Sequence, residues 1–351
     1  LLDIEADRMA RLEISARDIP AERGAVLAEM HGYENDPSAV LHDAGIFASL
    51  LAHPYRNNTI GWESDVRAIT SDDVAAFYAR HYQPGNAILA IAGDVDTDAV
   101  LRAVRERFAA IEGRGATPLP DTVEPVQNGE RRVLLEGPVA RPHYQFTWHA
   151  PAANSADYPA FLVLQELLGA SSGVNFLHND WGTPVRTDAP LAGISTDIRS
   201  WFIPTAQPYV FAIKGSVTAD AERQQTEDAV AAAVQTLRDK PVDRRRFERA
   251  KARLKDELLL DVQTTEDAAH QLAYFAGIDA LDHLLALPGQ LDKLRPADIQ
   301  RVANRYLAPQ KRTVAWSIPG KAALPASSAA VAAPLSKQLE SNSQPAPAPE
   351  V

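Results

Sequence analysis

"ITSDDVAAFYARHYQPGNAILAIAG" (69–93) and "LRPADIQRVANRYLAPQKRTVAWSIPG" (294–320) decide how the rest of the chain is read. They register at a constant offset of 225, so that Asp73 meets Asp298, Val74 meets Ile299, Arg80 meets Arg305 and Pro84 meets Pro309. Each copy reads as a helix, a proline stop and a hydrophobic strand closing on a glycine, Gly93 or Gly320. In the first copy Ser71 stands where an N-cap belongs, Pro84-Gly85 ends the helix, and "NAILAIAG" has the unbroken apolar character of a buried strand. Two such units predict a duplicated domain, each half a sheet with helices packed on it.

Working outward, helices are expected over Leu1–Leu12, Ala21–Tyr33 and Pro37–Leu51. "HPYRNNTIGW" (53–62) then breaks the pattern, and Asp96 or Thr97 caps a helix running to Ile111. "EGRGATPLPDTVEPVQNG" (112–129) has no periodicity and reads as a linker. Beyond it come strands "RRVLLEG" and "HYQFTWHA", a helix "YPAFLVLQELLG", and strands near 191–202 and 209–217. Helices over 219–307 and the strand "RTVAWSIPG" follow. The division is therefore 1–112, a linker at 113–130, a second homologous unit at 131–320, and an Ala/Pro/Ser tail at 321–351. That tail cannot bury enough surface to offset chain entropy and is expected to be disordered. The first copy has far fewer residues ahead of its closing glycine than the second has after the linker, so the first unit reads as truncated at its front. The fold class is α+β: two homologous domains, each a mostly antiparallel sheet with helices on one face.

Composition excludes several roles. Hydrophobic content of 46% and charged content of 23% are globular values. A net charge of −11 argues against a nucleic-acid partner. No apolar run is long enough to span a membrane. There is no cysteine, so a transition metal would need His, Asp or Glu, and a bacterial periplasmic setting is favoured over the cytoplasm.

One helical stretch carries a chemical question. In "ERGAVLAEM" (22–30), Glu22 and Glu29 are two turns apart on one stripe, with Ala25 and Val26 between them. They are either the wet side of an amphipathic helix or carboxylates on a packed face, where a cation, metal or donors must compensate them. Ala25 and Val26 predict packing, and Gly24 permits close approach of another element at a cost of about 1 kcal/mol relative to Ala. The histidines read as structural. His143 and His149 share one face of a strand but lie roughly 20 Å apart, His53 sits in a turn, and His81 meets a helix C-terminus. His31 and Glu29 point to different sides of their helix. No HExxH, HxxEH, P-loop or G-x-G-x-x-G occurs. "DRRRFERAKARLKDELL" (243–259) reads as a solvated helix face with i,i+4 charge pairs.

Together, "LDIEADRMARL" with "ERGAVLAEM", then "HPYRNNTIG", "FYARHYQPGNAILAIAGDVD" and "RFERAKARLKDELL", resemble the pitrilysin/insulinase family of zinc metallopeptidases, in its mitochondrial-processing-peptidase-like bacterial branch. The resemblance implies a half-clamshell that hydrolyses extended peptides with a Zn2+-activated water. It makes Glu29 the distal zinc ligand and Glu22 the supporting acid two turns earlier. The family's HxxEH, which supplies the other two ligands and the general base, lies too far upstream for the 28 residues preceding Glu29. Those ligands are expected upstream of residue 1, and residues 1–351 alone are expected to be inactive. The family's substrate-holding arginine and tyrosine, seven residues apart, fall on "VRTDAPLAGIST" (185–196): Arg186 fits the arginine, but Gly193 stands in place of the tyrosine. The lead-in "GASSGVNFLHNDWG" (169–182) also departs from the family pattern. Glu29 with Gly193 implies the zinc-side subunit of a pair with a homologous subunit, as heterodimer or homodimer. The alternative is a non-catalytic member acting as a structural or substrate-holding subunit.

Overall fold

The protein is described by a computed structural model covering residues 1–113, 115–169, 173–178, 182–195 and 197–320. The tail 321–351, expected to be disordered, lies outside the described residues, as do parts of the 169–182 stretch. Six strands form one open sheet: β1 (Arg131–Gly137), β2 (His143–Ala150), β3 (Thr183–Pro184), β4 (Arg199–Phe202), β5 (Tyr209–Ser216) and β6 (Thr313–Pro319). Their order is β1-β6-β2-β5-β4-β3; β1 and β6 run parallel and every other pair is antiparallel. Of the stretch 191–202, read from sequence as strand, only Arg199–Phe202 pairs; residues 191–194 are turn.

Alternation along the strands sorts the core. Phe146, Phe211, Ile213, Val314 and Trp316 face α7 (Tyr158–Leu168), α8 (Arg223–Asp239), α9 (Arg244–Leu260) and α12 (Pro296–Tyr306). All eleven residues of α7 are buried, which its continuous apolar run requires. The other face of the sheet is covered from the first 112 residues. There α3 (Pro37–Ser49) lays Val40, Leu41, Ala44 and Ala48 on Val133, Leu135 and Ala315, and Ile46 with Leu50 on Trp201, Val210 and Ala212. Gly45 permits this approach, since a Cβ there would meet Gln145 Nε2 at 2.6 Å.

The remaining helices of the first 112 residues are α1 (Leu2–Arg11), α2 (Ile19–Glu34), α4 (Glu63–Ala68), α5 (Ser71–His81) and α6 (Thr97–Phe108); α10 (Thr265–Gly277) and α11 (Leu281–Lys293) complete the set. The cap of α5 is Thr70, not Ser71. The Thr70 hydroxyl accepts from the Asp73 N–H (3.2 Å) while the Asp73 carboxylate accepts from the Thr70 N–H (2.9 Å). A capping box fixes the start one residue earlier because only Thr70 has an acid three positions on. Asp298 accepts from the Arg295 N–H (2.9 Å) in the same way at α12, which gives the Asp73–Asp298 match of the repeat a shared job.

The second departure is larger. "NAILAIAG" (86–93) forms no strand; Ala87–Gly93 carries no sheet pairing, and Ile88 (52%), Leu89 (52%) and Ile91 (40%) are exposed. A strand exists only through its neighbours' hydrogen bonds, and none of the described strands lies beside this one. The linker has no regular structure but is tied down. The Glu124 carboxylate accepts from the Leu51, Ala52 and His53 N–H groups (2.7, 2.9 and 2.9 Å). Burial raises its pKa, and those three donors outweigh the burial and hold it below the usual range.

Candidate metal centre and adjoining cleft

Helix α2 starts with Pro20 in its first turn and buries only Met30. Its Glu22, Ala25, Val26 and Glu29 form a single exposed stripe, and the two carboxylates stand about 10 Å apart along the axis. The structure corrects the expectation that this face packs. Val26 is 37% exposed, and a Cβ at Gly24 would meet nothing within 4 Å. Neither Glu22 nor Glu29 makes a side-chain hydrogen bond or ion pair among the described residues. An apolar-and-acidic stripe with no partner is an uncovered surface rather than a finished site.

A tetrahedral zinc centre needs three protein donors. Among the described residues no three of His, Asp or Glu converge to hold a metal ion. The described residues by themselves therefore bring together no zinc-binding set.

Glu29 does open onto a cleft of ≈470 Å³ that also reaches Tyr33, His42, Asp43, Arg56, Trp201 and Tyr209. One wall comes from α2, α3 and the turn after α3; the other comes from the β4–β5 side of the sheet. His42 Nδ1 lies 2.9 Å from Gln145 Oε1, and the ring sits edge-on to Trp201 at 4.8 Å. Burial drives the His42 pKa down to about 3, Lys214 adds to that, and the Gln145 bond only partly opposes it, so the ring is neutral at pH 7. Asp43 is pushed up by burial, partly offset by the hydrogen bond that Asn58 donates to it. Burial likewise raises Tyr209. Perturbed groups gathered in a cleft mark a functional candidate. Sequence reading missed His42 and Asp43; they sit on an apolar helix with no motif, and only the packing of α3 on the sheet makes them neighbours of Glu29.

Arg186 is not part of this cleft. It lies against α7, donating to Glu166 Oε2 (2.8 Å), to the Glu166 carbonyl (3.2 Å) and to Asp188 (3.3 Å). Gly193 has φ +79°, a left-handed conformation that a tyrosine would adopt only under strain. Three other histidines are each held by a hydrogen bond: His143 Nδ1 lies 3.3 Å from the Ser38 hydroxyl, His149 Nε2 2.7 Å from the Ser49 carbonyl, and His53 Nδ1 accepts from the Tyr55 N–H.

Comparison with known proteins places this geometry in a family. The family description "Peptidase M16 inactive domain" matches residues 68–254, more than half of the chain. The zinc protease PqqE of Helicobacter pylori is 23% identical over 322 residues, covering 91% of this chain and 71% of that protein. A probable mitochondrial-processing peptidase subunit beta of Arabidopsis thaliana is 22% identical over 312 residues, covering 87% of this chain and 58% of its own length. The crystal structure of a protease from Helicobacter pylori superposes with a TM-score of 0.80 at 23% identity, over 91% of this chain and 76% of that one. The helices and sheet assembled above, and the sequence that folds into them, are thus those of the pitrilysin/insulinase group: the chain belongs to the M16 peptidase family.

Proposed function

We propose that this chain is part of a zinc metalloendopeptidase that hydrolyses extended peptides, with residues 1–112 the C-terminal part of the zinc-binding domain, 113–130 a linker, and 131–320 its homologous partner domain without zinc. Glu29 is the carboxylate ligand and Glu22 the acid that supports it. The remaining donors come from polypeptide outside residues 1–351. The observation that carries this reading is the bare stripe on α2, where two unpaired carboxylates border an exposed apolar strip and one of them, Glu29, faces a cleft. The relatives named as zinc proteases support it. The pairing proposed is with a homologous subunit, in keeping with a relative named as a peptidase subunit.

The second reading, a substrate-holding subunit without catalysis, draws on the description of the matched domain as inactive. Metal analysis of the full-length protein separates the two. Glu29→Gln should remove most of the bound zinc, whereas zinc content unchanged by that substitution refutes the ligand assignment. Full peptidase activity of the purified protein alone would rule out the obligate pair.

A further inference from the structure

The basic run 243–259 does not simply face water. Arg246, Arg249 and Arg253 share one face of α9 and, with Arg186 from the opposite loop, enclose a small hollow whose floor is Glu166 of α7. Its charges do not balance. Glu166, with a side chain only 2% exposed, takes Arg186 at 2.8 Å and Arg253 at 3.6 Å. Asp188, exposed at the rim, spans the same two arginines at 3.3 and 3.2 Å. Arg246 donates to the Leu167 carbonyl (2.8 Å) and has no carboxylate within ion-pair distance among the described residues. Arg249 makes no hydrogen bond or ion pair among the described residues. Glu257 lies close enough to feel Arg186 but does not line the hollow. Four guanidiniums thus face two carboxylates, in a chain whose net charge is −11. Burial holds the Arg246 pKa down and Arg249 adds to the effect, so an anion placed between them would relieve both.

We propose that this hollow binds one carboxylate group of a peptide ligand, with Arg249 as its anchor, Arg246 beside it as a guanidinium that no carboxylate holds, and Asp188 as the resident anion it competes with. The space is ≈40 Å³. So small a hollow suits the head of one small anion rather than a whole ligand. Guanidinium forks match the two oxygens of a carboxylate and hold them in a fixed plane. The assignment rests on the peptide-handling role proposed above and adds to it a preference for an acidic group.

The test is fluorescence anisotropy on the full-length protein with two labelled peptides identical but for one Glu or Gln. The Glu peptide should bind about tenfold more tightly. Arg249→Ala should erase that preference, and Asp188→Asn, which frees two arginines, should widen it. Arg249 has no partner to lose among the described residues, so its substitution leaves the fold intact. Equal binding of the two peptides, or an Arg249→Ala variant that keeps the preference, overturns the site. Inorganic phosphate displacing the Glu peptide at concentrations where acetate does not would also overturn it, in favour of a phosphoryl ligand. Zinc content measured on the same preparations reports the ligand role of Glu29 separately. Binding of neither peptide would overturn the peptide-handling role and the site together.

Discussion

Ile91 and Trp316 hold the same place in the two repeats, yet Ile91 is 40% exposed and Trp316 only 3%. Trp316 lies on a strand with neighbours on both sides and donates its indole N–H to Glu227 at 2.9 Å. Ile91 lies on an extended segment that none of the described strands flanks. In the 1–351 chain Trp316→Ala should cost about 3–5 kcal/mol and Ile91→Ala less than about 0.5 kcal/mol. Urea denaturation of both variants checks this. A comparable loss at Ile91 would show that residues 86–93 are packed in solution.

Glu227 is the keystone of a buried polar cluster, receiving the Trp316 indole and Arg132, with Arg312 at 4.0 Å. Glu227→Ala strands the buried Trp316 N–H, while Arg132 and Arg312 both keep Glu130, so a loss of about 1–3 kcal/mol is expected. Arg132 is half exposed, and Arg132→Ala should cost about 1 kcal/mol or less. Denaturant midpoints for the two single variants measure the difference.

Two helical glycines should respond with opposite signs. A Cβ at Gly24 meets nothing within 4 Å, so Gly24→Ala should stabilise the 1–351 chain by about 1 kcal/mol through helix propensity. At Gly45 a Cβ would press on Gln145 Nε2, and that side chain is held by His42 and Thr147. Gly45→Ala should therefore destabilise by about 1–3 kcal/mol. Thermal melts suffice, and a loss at Gly24 would reveal an element that closes on α2.

Two groups act on acid stability with opposite sign. His42 is held down to about 3, so between that pH and 6.5 the unfolded chain binds more protons and stability falls as pH drops. Asp261 accepts from the Val174 and Asn175 N–H groups, yet burial lifts it to about 6. Between 3.8 and 6 the folded chain binds more protons, and this group makes stability rise as pH drops. His42→Gln should gain stability relative to the parent on moving from pH 7 to pH 4, and Asp261→Asn should lose it. Urea midpoints at pH 4, 5, 6 and 7 give the slopes; parallel slopes for both variants would refute the assignment.

Much of this was legible in the sequence because local chemistry carried it. The capped helices, the alternating strand "HYQFTWHA" and the fully apolar α7 follow from spacing and side-chain type. The paired acids of "ERGAVLAEM" were visible for the same reason. Arg186 was visible as a residue but not as a neighbour: its partner Glu166 is 20 positions earlier, on an all-buried helix.

The sequence by itself determined most of the helices, the strands "RRVLLEG", "HYQFTWHA" and "RTVAWSIPG", and that any metal ligand here is an oxygen or imidazole rather than a thiolate. Only the tertiary structure decided which segments were covered. Packing of α3 set the half-buried His42 beside Trp201, the sheet took in "RTVAWSIPG" but not "NAILAIAG", and the face carrying Glu22 and Glu29 was left open. Periodicity says which side of an element is apolar. Whether that side is buried depends on another element being there, and that information is non-local.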